Sequence, residues 1–369
     1  MTQHAPDRGD RRIRDGRAAR AAGLNAAGLR IAVDCMGGDR APAETVAGAL
    51  AAAQALGVHV LLIGVPDALR AALPPGAAEA PEGPRTAEIV PSGPAVPEGA
   101  PPLASLRALP NASMTIAMRQ VREGRADAAV SAASTGPTLL AAVRELGMLE
   151  GVRRASVGRS IVGLHPKTFL IDLGPTMDCE AQHLLEFAVI GTTYMRVFEG
   201  IREPSVALLS NGREPGKGNR VVKQAAQLLA RSGLNYTGLV EGHHFVAGEA
   251  NVVVCDGFIG NAVLKTIEGL GREIARWLTA ELAGDVPARR LEAVTTRLIE
   301  LTNPIDLHGS LPLLGVRGNV VMAHGASDRH AIQAAIGQAV QAVRARFVDT
   351  LQTALADTRA RLATTTPAV

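Results

Sequence analysis

The stretch NVVVCDGFIGNAVLKTIEG, residues 251–269, indicates the fold class. Its residues 252–254 are a short, fully apolar run, which is typical of a parallel strand buried on both faces. An Asp-Gly pair interrupts the run, and a helix with apolar residues at helical spacing is predicted to open at Gly260-Asn261. A strand, a polar glycine turn and a helix are the parts from which open α/β sheets build a ligand site.

The same arrangement recurs along the chain. Further apolar runs end in turns at 34–42, 131–136, 173–178, 210–219 and 324–328, and each turn combines glycine with Asp, Asn, Ser, His or Lys before a helix. A helix start offers unpaired N–H groups and a positive dipole end, which suit an anion. Without this repetition, the glycines of residues 251–269 are explained equally well as turn glycines. Strands that alternate with helices predict the α/β class, with a mostly parallel sheet in an α/β/α sandwich.

Composition and cysteine usage bound the class of protein. The 369 residues are 47% hydrophobic and 20% charged, and no apolar run approaches the ~20 residues of a transmembrane helix. Cys35, Cys179 and Cys255 lie far apart without motif spacing, which favours a reducing cytoplasm over a disulfide framework. We expect a single α/β/α domain over residues 30–360 and a flexible C-terminus at 361–369.

The first 29 residues differ in kind from the rest of the chain. They are rich in Arg, Ala and Gly without an apolar segment, so we expect a disordered basic tail rather than a secretory signal. Residues 1–30 contain seven Arg and three Asp, a net charge of +4 against +3 for the whole chain, so the remainder is close to neutral. Because nucleic-acid binding needs a basic face on the folded body, the composition gives no argument for that function.

Two predicted helical regions bear on the oligomeric state and on the character of the protein surface. Residues 180–199 are apolar on most sides, which requires deep burial or a covering subunit. We favour a homodimer interface there, with a central core helix as the alternative. An amphipathic helical pair is predicted at 264–301. Residues 74–102, dense in Pro, Gly and Ala, are predicted to form a surface excursion that holds one strand at 87–90.

The turns favour an anionic ligand without matching a nucleotide fingerprint, since neither GxxxxGK(S/T) nor a GxGxxG after a strand occurs. Only four of the 38 basic residues are lysines, and Lys217 lies in the most cationic turn, where a compact ammonium suits phosphate. Chance usage of lysine is the alternative.

His243-His244 is predicted to be a solvated turn rather than a metal site. Cys255 is predicted to be a buried strand residue rather than a nucleophile.

Motifs along most of the chain resemble the bacterial acyl-ACP:phosphate acyltransferase family. They are IAVDCMGGDRAP (31–42), NASM (111–114), residues 127–136, LIDLGPTMDC (170–179), LLSNGREPGKGN (208–219), VVVCDGFIGNAVLKTIEG (252–269), PLLGV (312–316) and AHGAS (323–327). The resemblance implies a homodimeric, isocitrate-dehydrogenase-like (Rossmann-like) fold that uses no metal and no organic cofactor. It implies transfer of a fatty acyl group from acyl carrier protein to inorganic phosphate. The product would be acyl phosphate for phospholipid synthesis, made by a cytoplasmic protein in peripheral contact with the membrane or a membrane acyltransferase.

This chemistry needs no covalent nucleophile, because phosphate is nucleophilic and a thioester has a good leaving group. We expect Lys217 to pair with phosphate and Asn261 to donate to phosphate or the oxyanion, as the two catalytic residues. Carboxylates nearby would repel a dianion unless they accept its proton or orient Lys217. The expected phosphate- and acyl-donor-binding residues are Asp34, Gly37, Gly38, Asp39, Ser134, Thr135, Gly136, Gly216, Gly218, Asn219, Asp256, Gly257, Gly260, His324 and Ser327.

Four turns depart from the family pattern. Where the family has SAGNTGA, LGAN, IGEEEGKGN and GGAPLLG, this chain has SAASTGP (131–137), LGPT (173–176), SNGREPGKGN (210–219) and GSLPLLG (309–315), the last after His308. Two Asn donors and two permissive glycines are lost, whereas Lys217, Asn219 and Asn261 remain. The loop at 283–290 is polar, where membrane insertion would need an apolar tip.

Three functions are consistent with these turns. The first is the phosphate acyltransferase reaction itself. The second, suggested by the altered turns, is that of a divergent relative that uses acyl-CoA or another acceptor in a specialised pathway. The third is that of a non-catalytic relative that only binds an acyl carrier or a partner enzyme.

Overall fold

A computed structural model describes residues 28–74, 86–302 and 310–364. Its elements in chain order are β1 (Arg30–Asp34), α1 (Ala43–Leu56), β2 (His59–Gly64), α2 (Pro66–Ala72), β3 (Ala87–Pro91), α3 (Pro102–Ala108), α4 (Ser113–Arg122), β4 (Ala128–Ser131), α5 (Thr135–Leu146), β5 (Ser156–Arg159), β6 (Phe169–Ile171), α6 (Ala181–Phe198), β7 (Ser205–Leu209), α7 (Arg220–Arg231), β8 (Asn235–Val240), α8 (Gly242–Val246), β9 (Val252–Val254), α9 (Gly257–Glu281), α10 (Ala288–Thr302), β10 (Ser310–Leu314), β11 (Asn319–Ala323), α11 (Arg329–Arg344) and α12 (Phe347–Thr364). The basic tail predicted at 1–29 lies outside the described residues except for its last two positions. Helix α12 continues four residues into the C-terminus predicted to be flexible.

The described residues divide into two compact units. The first unit comprises the residues up to 147 together with 316–348, and the second comprises 148–315 together with the residues from 349 onward. Each unit has its own strands, flanking helices and buried core. The single domain predicted over residues 30–360 stays a prediction.

In the first unit, five parallel strands lie in the order β3-β2-β1-β4-β11. Asp34 pairs with Ser131, which pairs in turn with Met322, so β1, β4 and β11 end at the same edge. Ile31 and Val33 of β1 join one apolar cluster with side chains of α1 and α11, and α4 packs on β1 and β4. The turns that follow these three strands therefore meet at one edge of the sheet.

In the second unit, the strands lie in the order β10-β5-β6-β9-β7-β8. Strand β5 runs antiparallel to both of its neighbours, and the pairs from β6 to β8 are parallel. Val253 in β9 pairs with Leu170 in β6 and Ala207 in β7. The turn after β9 therefore lies between the turns that follow β6 and β7. The mostly parallel α/β sheet predicted from the sequence is confirmed.

Helix α6, predicted at 180–199, is the core helix of the second unit. It packs on β6, β7, β9 and α7, and Leu184, Phe187 and Met195 are buried within this single chain. The favoured interpretation of this helix as a homodimer interface is wrong, because its apolar sides are already covered by its own unit. The alternative, a central core helix, is confirmed.

The elements missed by the sequence analysis lack a hydrophobic period. Strand β5, SVGR, has one large apolar residue in four, and β10, SLPLL, contains a proline that argues against a strand. Helix α3 begins at Pro102, at the end of a stretch predicted to be irregular apart from one strand. The predicted strand at 87–90 is confirmed as β3, whereas the prediction for 75–85 falls outside the described residues.

Helices α9 and α10 form the predicted amphipathic pair and pack on each other. Their outer faces carry large apolar side chains: Leu270 is 58% exposed, Trp277 59%, Val294 51% and Ile299 38%. Within the described residues, no helix combines the length and apolar character that crossing a membrane requires.

The burial of α6 predicts a stability loss that does not depend on association. Phe187 is fully buried, so Phe187→Ala is expected to lower the free energy of unfolding by about 3–5 kcal/mol. Leu164→Ala is the control, because this side chain of the same unit is 64% exposed and its truncation should cost about 0.5 kcal/mol or less. Urea unfolding at two protein concentrations measures both changes. If the loss of unfolding free energy in Phe187→Ala varied with protein concentration, α6 would be a subunit interface after all.

Candidate active site

The first predicted turn is organised by a buried carboxyl group. Asp34, at the end of β1, is fully buried, and its carboxylate accepts hydrogen bonds from the Ser131 hydroxyl at 2.7 Å and from the N–H groups of Met36 and Gly37 at 3.2 Å. Burial raises the pKa of this carboxyl above its usual range. A Cβ on Gly37 would lie 2.7 Å from Asp34 Oδ2. The turn after β1 is thereby joined to the end of β4.

The turn after β11 closes on the same edge. The N–H of Asp39 donates to the carbonyl of Gly325 at 2.8 Å, next to Gly38, whose φ is 101°. His324 is exposed and its Nδ1 accepts from the N–H of Ala326 at 3.2 Å, while Ser327 is buried. The first and last predicted turns are therefore in direct contact within the first unit.

The second predicted turn leads into α5 at the same edge. Ser134 is the residue before the helix, and its carbonyl accepts hydrogen bonds from the N–H and hydroxyl of Thr138. Thr135 is exposed and Gly136 faces the ring of Pro102. Nine predicted site residues thus lie along one edge of the first unit: Asp34, Gly37, Gly38, Asp39, Ser134, Thr135, Gly136, His324 and Ser327.

The predicted cationic turn, residues 210–219, is an exposed loop before α7. Gly216 and Gly218 have φ values of 93° and 88°, which favour glycine. The side chain of Asn211 accepts from the N–H of Gly218 at 3.0 Å and closes the loop. Lys217 is exposed, and its ammonium has no ion pair anywhere in 28–74, 86–302 or 310–364. Asn219 caps α7 by accepting from a backbone N–H at 2.9 Å, so its oxygen is committed to the helix.

Helix α9 begins one turn earlier than predicted. Asp256 is its N-cap and accepts from the N–H of Ile259 at 2.8 Å, so Gly257 is the first helical residue. The prediction that the helix opens at Gly260-Asn261 is therefore wrong. Asn261 stands in the second turn, where it is exposed.

Two predicted ligand glycines are accounted for by packing. A Cβ on Gly257 would lie 2.8 Å from the carbonyl oxygen of Thr176, and a Cβ on Gly260 would lie 1.8 Å from that of Asp172. The N–H of Gly257 also donates to Thr176 at 2.8 Å. The first turn of α9 thus rests on the turn after β6, and only glycine allows so close an approach. These contacts explain the glycines whether or not a ligand also binds there.

A second buried carboxyl group, Asp172, was not among the site residues predicted from the sequence. It directly follows β6, is fully buried, and accepts from the N–H groups of Val157 at 3.0 Å and Thr176 at 2.7 Å. Its signal was present in the sequence, since Asp172 ends an apolar run just as Asp34 does. Thr176, where the family pattern has Asn, is itself buried and donates to the carbonyl of Ala155, so this departure changes the interior of the turn.

The histidine pair and Cys255 have structural roles. His243 and His244 lie in the short helix α8 rather than in the predicted turn, within reach of the carboxylate of Glu241. The Nδ1 of His244 accepts from the N–H of Glu241 at 3.2 Å as half of a capping box, so this atom is committed to the helix. Cys255 is buried, as predicted, and burial raises the pKa of its thiol well above the usual range, which opposes a nucleophilic role.

Eight predicted residues lie along one edge of the second unit, after β7 and β9: Gly216, Lys217, Gly218, Asn219, Asp256, Gly257, Gly260 and Asn261. An exposed ammonium, two helix starts and an exposed amide can hold an anion and donate to a developing negative charge. The edge of the first unit instead contributes carboxyl, hydroxyl and imidazole groups.

Relatives of this chain are known. Residues 29–350 match the sequence profile of a family described as fatty acid synthesis protein. The phosphate acyltransferase of Desulfitobacterium hafniense is 37% identical over 329 residues, covering 88% of this chain and 97% of that protein. The phosphate acyltransferase of Bordetella petrii is 38% identical over 334 residues, covering 89% and 93%.

Solved structures agree on the fold. A phosphotransacetylase from Streptococcus pyogenes superposes with a TM-score of 0.56 at 17% identity, covering 91% of this chain and 98% of that chain. The EutD phosphotransacetylase from Staphylococcus aureus gives a TM-score of 0.53 at 18% identity, covering 90% and 99%. At these identities the likeness concerns the fold alone.

The fold and the relatives together define an acyltransferase of the α/β class. The resemblance found in the sequence motifs is confirmed by identity along nearly the whole folded chain. The chain belongs to the phosphate acyltransferase family.

The contact between α9 and the turn after β6 predicts opposite effects at two glycines of one helix. Gly260→Ala is expected to lower the free energy of unfolding by about 1–3 kcal/mol or more, because its Cβ would collide with a backbone carbonyl. Gly269→Ala meets nothing within 4 Å, so it is expected to stabilise the helix by about 0.5–1 kcal/mol. Chemical denaturation followed by circular dichroism measures both changes. Equal effects at the two positions would contradict the packing.

Proposed function

We propose that this chain transfers a fatty acyl group from acyl-acyl carrier protein to inorganic phosphate and so supplies acyl phosphate for phospholipid synthesis. The observation that carries the proposal is identity of 36–38%, over 88–89% of this chain, to proteins named phosphate acyltransferase. The exposed, unpaired ammonium of Lys217 in front of α7 agrees with an anionic acceptor. The reaction requires no metal or organic cofactor.

The proposed reaction runs through positioning and charge. A phosphate oxygen attacks the thioester carbonyl carbon, the C–O bond forms, and the carbonyl oxygen becomes an oxyanion. When the C–S bond breaks, the thiolate of the carrier leaves and takes up the proton that the hydrogen phosphate loses. Lys217 holds the phosphate against the carbonyl, and Asn261 donates to the oxyanion, whose charge exists only near the transition state.

The acyl donor separates this proposal from its nearest alternative. The altered turns, SAASTGP at 131–137 and LGPT at 173–176, motivate a divergent relative that uses acyl-CoA or another acceptor. The changed side chain of Thr176 is buried and donates a hydrogen bond to the carbonyl of Ala155, so the change lies in the interior of the unit, which favours the family reaction. A non-catalytic acyl-carrier-binding relative is the remaining alternative.

Lys217→Ala tests the reaction and its cation together. With long-chain acyl-acyl carrier protein and inorganic phosphate, the parent protein is expected to form acyl phosphate, and the variant to lose about 100-fold or more of kcat/KM for phosphate. Lys223→Ala, which removes an exposed lysine of α7, is the matched control and should retain parent activity.

Parallel reactions with acyl-CoA decide the donor. A preference for acyl-CoA would establish the divergent alternative. Absence of turnover with either donor, together with donor binding that Lys217→Ala leaves unchanged, would establish the non-catalytic one.

We also propose that the protein is a cytoplasmic homodimer. Cys35, Cys179 and Cys255 are free thiols, as in a reducing compartment. With α6 excluded as the interface, the exposed apolar side chains of α9 and α10 are the surface for a second copy. Leu270 and Trp277 are one heptad apart on α9 and so form a stripe on one face.

Trp277→Asp tests this interface. It is expected to convert a dimer into a monomer with unchanged circular dichroism, because a carboxylate would be desolvated at the centre of the contact. Leu103→Asp, at an exposed apolar residue of the first unit, is the control. Sedimentation velocity measures the oligomeric state. A monomeric parent whose binding to anionic lipid vesicles is lost in Trp277→Asp would assign the stripe to a membrane surface instead.

A further inference from the structure

The carboxyl group beneath α9, that of Asp172, pairs with no cation in the described part of the chain. Asp172 is fully buried, and neither Lys, Arg nor His of the described chain forms an ion pair with it. Its Oδ1 accepts from the N–H of Val157 in β5, and its Oδ2 accepts from the N–H of Thr176 four residues later. The carboxylate therefore ties the turn after β6 to the neighbouring strand and closes the turn on itself.

The same carboxylate faces the start of α9. The point where a Cβ on Gly257 would stand lies 2.9 Å from Asp172 Oδ2, and Gly260 packs on the Asp172 carbonyl. The N–H of Gly257 is held by Thr176, whose own N–H is held by Asp172. A chain of hydrogen bonds thus runs from the carboxylate through the turn into the first helical residue.

Asn261 lies beside this turn. Its Cβ lies 4.0 Å from the point where a Cβ on Gly174 would stand. Because Gly174 lies inside the turn that Asp172 closes, a shift of that turn moves the surface against which Asn261 rests. Asn261 is one helical turn after Gly257 and shares its support.

We propose that Asp172 is a positioning residue for acyl transfer, which acts through the turn after β6 to set the place of Asn261. This role rests on the function proposed above. Asp172 touches no reacting atom, and its effect passes through the backbone of residues 173–176 and the first turn of α9.

The ionisation of Asp172 distinguishes this role from simple packing. Burial raises the pKa of its carboxyl to about 7, with its backbone donors acting in the opposite direction. The titratable groups with which it interacts in the described structure are the thiols of Cys179 and Cys255, neither of which supplies a positive charge.

The sign of the stability effect follows from that pKa. The unfolded chain releases the Asp172 proton near the ordinary pKa of 3.8, whereas the folded chain retains it to about 7. Ionisation therefore lowers the free energy of unfolding as the pH rises through this window. A carboxyl that destabilises the fold at neutral pH, where a neutral side chain would not, is typical of a functional position.

The test compares Asp172→Asn with Asp178→Asn, which removes an exposed carboxylate from the same turn. In the acyl phosphate assay, Asp172→Asn is expected to lower kcat about 10- to 100-fold with little change in the KM for the acyl donor, because the lost interaction belongs to the transition state. Asp178→Asn should retain parent kinetics.

A double-mutant cycle identifies the residue through which Asp172 acts. In an Asn261→Ala background, Asp172→Asn is expected to add little further loss, whereas in a Lys217→Ala background it should keep its full effect. Equal losses in the two backgrounds, or kinetics of Asp172→Asn that match Asp178→Asn, would overturn the proposal.

Hydrogen exchange measures the protection of the turn after β6 and of the first turn of α9 in the absence of catalysis. Asp172→Asn is expected to speed exchange in peptides covering 172–180 and 255–262 by about fivefold, the equivalent of one lost hydrogen bond. After correction for intrinsic rates, protection of these peptides in the parent should change near pH 7 and in the variant should not. Unchanged exchange would reject the positioning role. A parent that makes no acyl phosphate but shows these exchange changes would reject the proposed function alone.

A second variant tests the same contact in case the Asp172→Asn protein does not fold. Gly257→Ala keeps the carboxylate and places a methyl group 2.9 Å from its Oδ2, so it displaces the same contact from the helix side. It is expected to reproduce the loss of kcat and the non-additivity with Asn261→Ala. If it folds and keeps parent kinetics, the contact does not position Asn261 and the proposal fails.

Discussion

Two buried carboxyl groups, which form no ion pair among the described residues, are the constraint on which the turns at the strand ends of both units depend. Asp34 and Asp172 each stand at the end of an inner strand, and each is satisfied by backbone N–H groups, with the Ser131 hydroxyl added at Asp34. A carboxylate in such surroundings is tolerable only while its donors stay in place. The same charge that is costly to bury therefore fixes the turn that follows it, and that turn fixes the next element.

The sequence was sufficient for the architecture because its strongest signals are local. The valine run at 252–254 and the apolar run before Asp34 are continuous, so they mark strands buried on both faces. Strand β5 escaped prediction because a four-residue antiparallel strand has no period long enough to read. The interpretation of α6 as a dimer interface failed for another reason. A helix that is apolar on all sides must be buried, but its sequence does not show whether the same chain or a second subunit buries it.

The candidate site was predictable in its location and less so in the work of each residue. Residue type placed Asp256 and Asn219 in ligand turns, and the structure adds that the oxygen of each is used to cap a helix. Caps and ligand groups draw on the same residue types, because both present oxygen or amide groups to unpaired N–H groups or anions. Gly257 and Gly260 are likewise required by backbone carbonyl groups that lie 81 and 88 positions earlier in the sequence, at Thr176 and Asp172, and no local pattern encodes such contacts. What distinguishes Lys217, in the loop before α7, and Asn261, in the second turn of α9, is that both are exposed and that neither side chain forms a hydrogen bond with another described residue.

The division of the chain into two units has a consequence during synthesis. The first unit needs residues 316–348, and β4 pairs on one side with β11, which comes almost 190 residues later in the chain. The second unit is closed by α12, where Gln352 exchanges hydrogen bonds with the backbone of Glu150. On the ribosome, roughly 10–40 s separate the emergence of β4 from that of β11 at ordinary elongation rates. Throughout that interval one edge of β4 is unpaired and could pair with another strand. Because each unit also needs residues after 315, neither unit can complete its fold until the last part of the chain has been made.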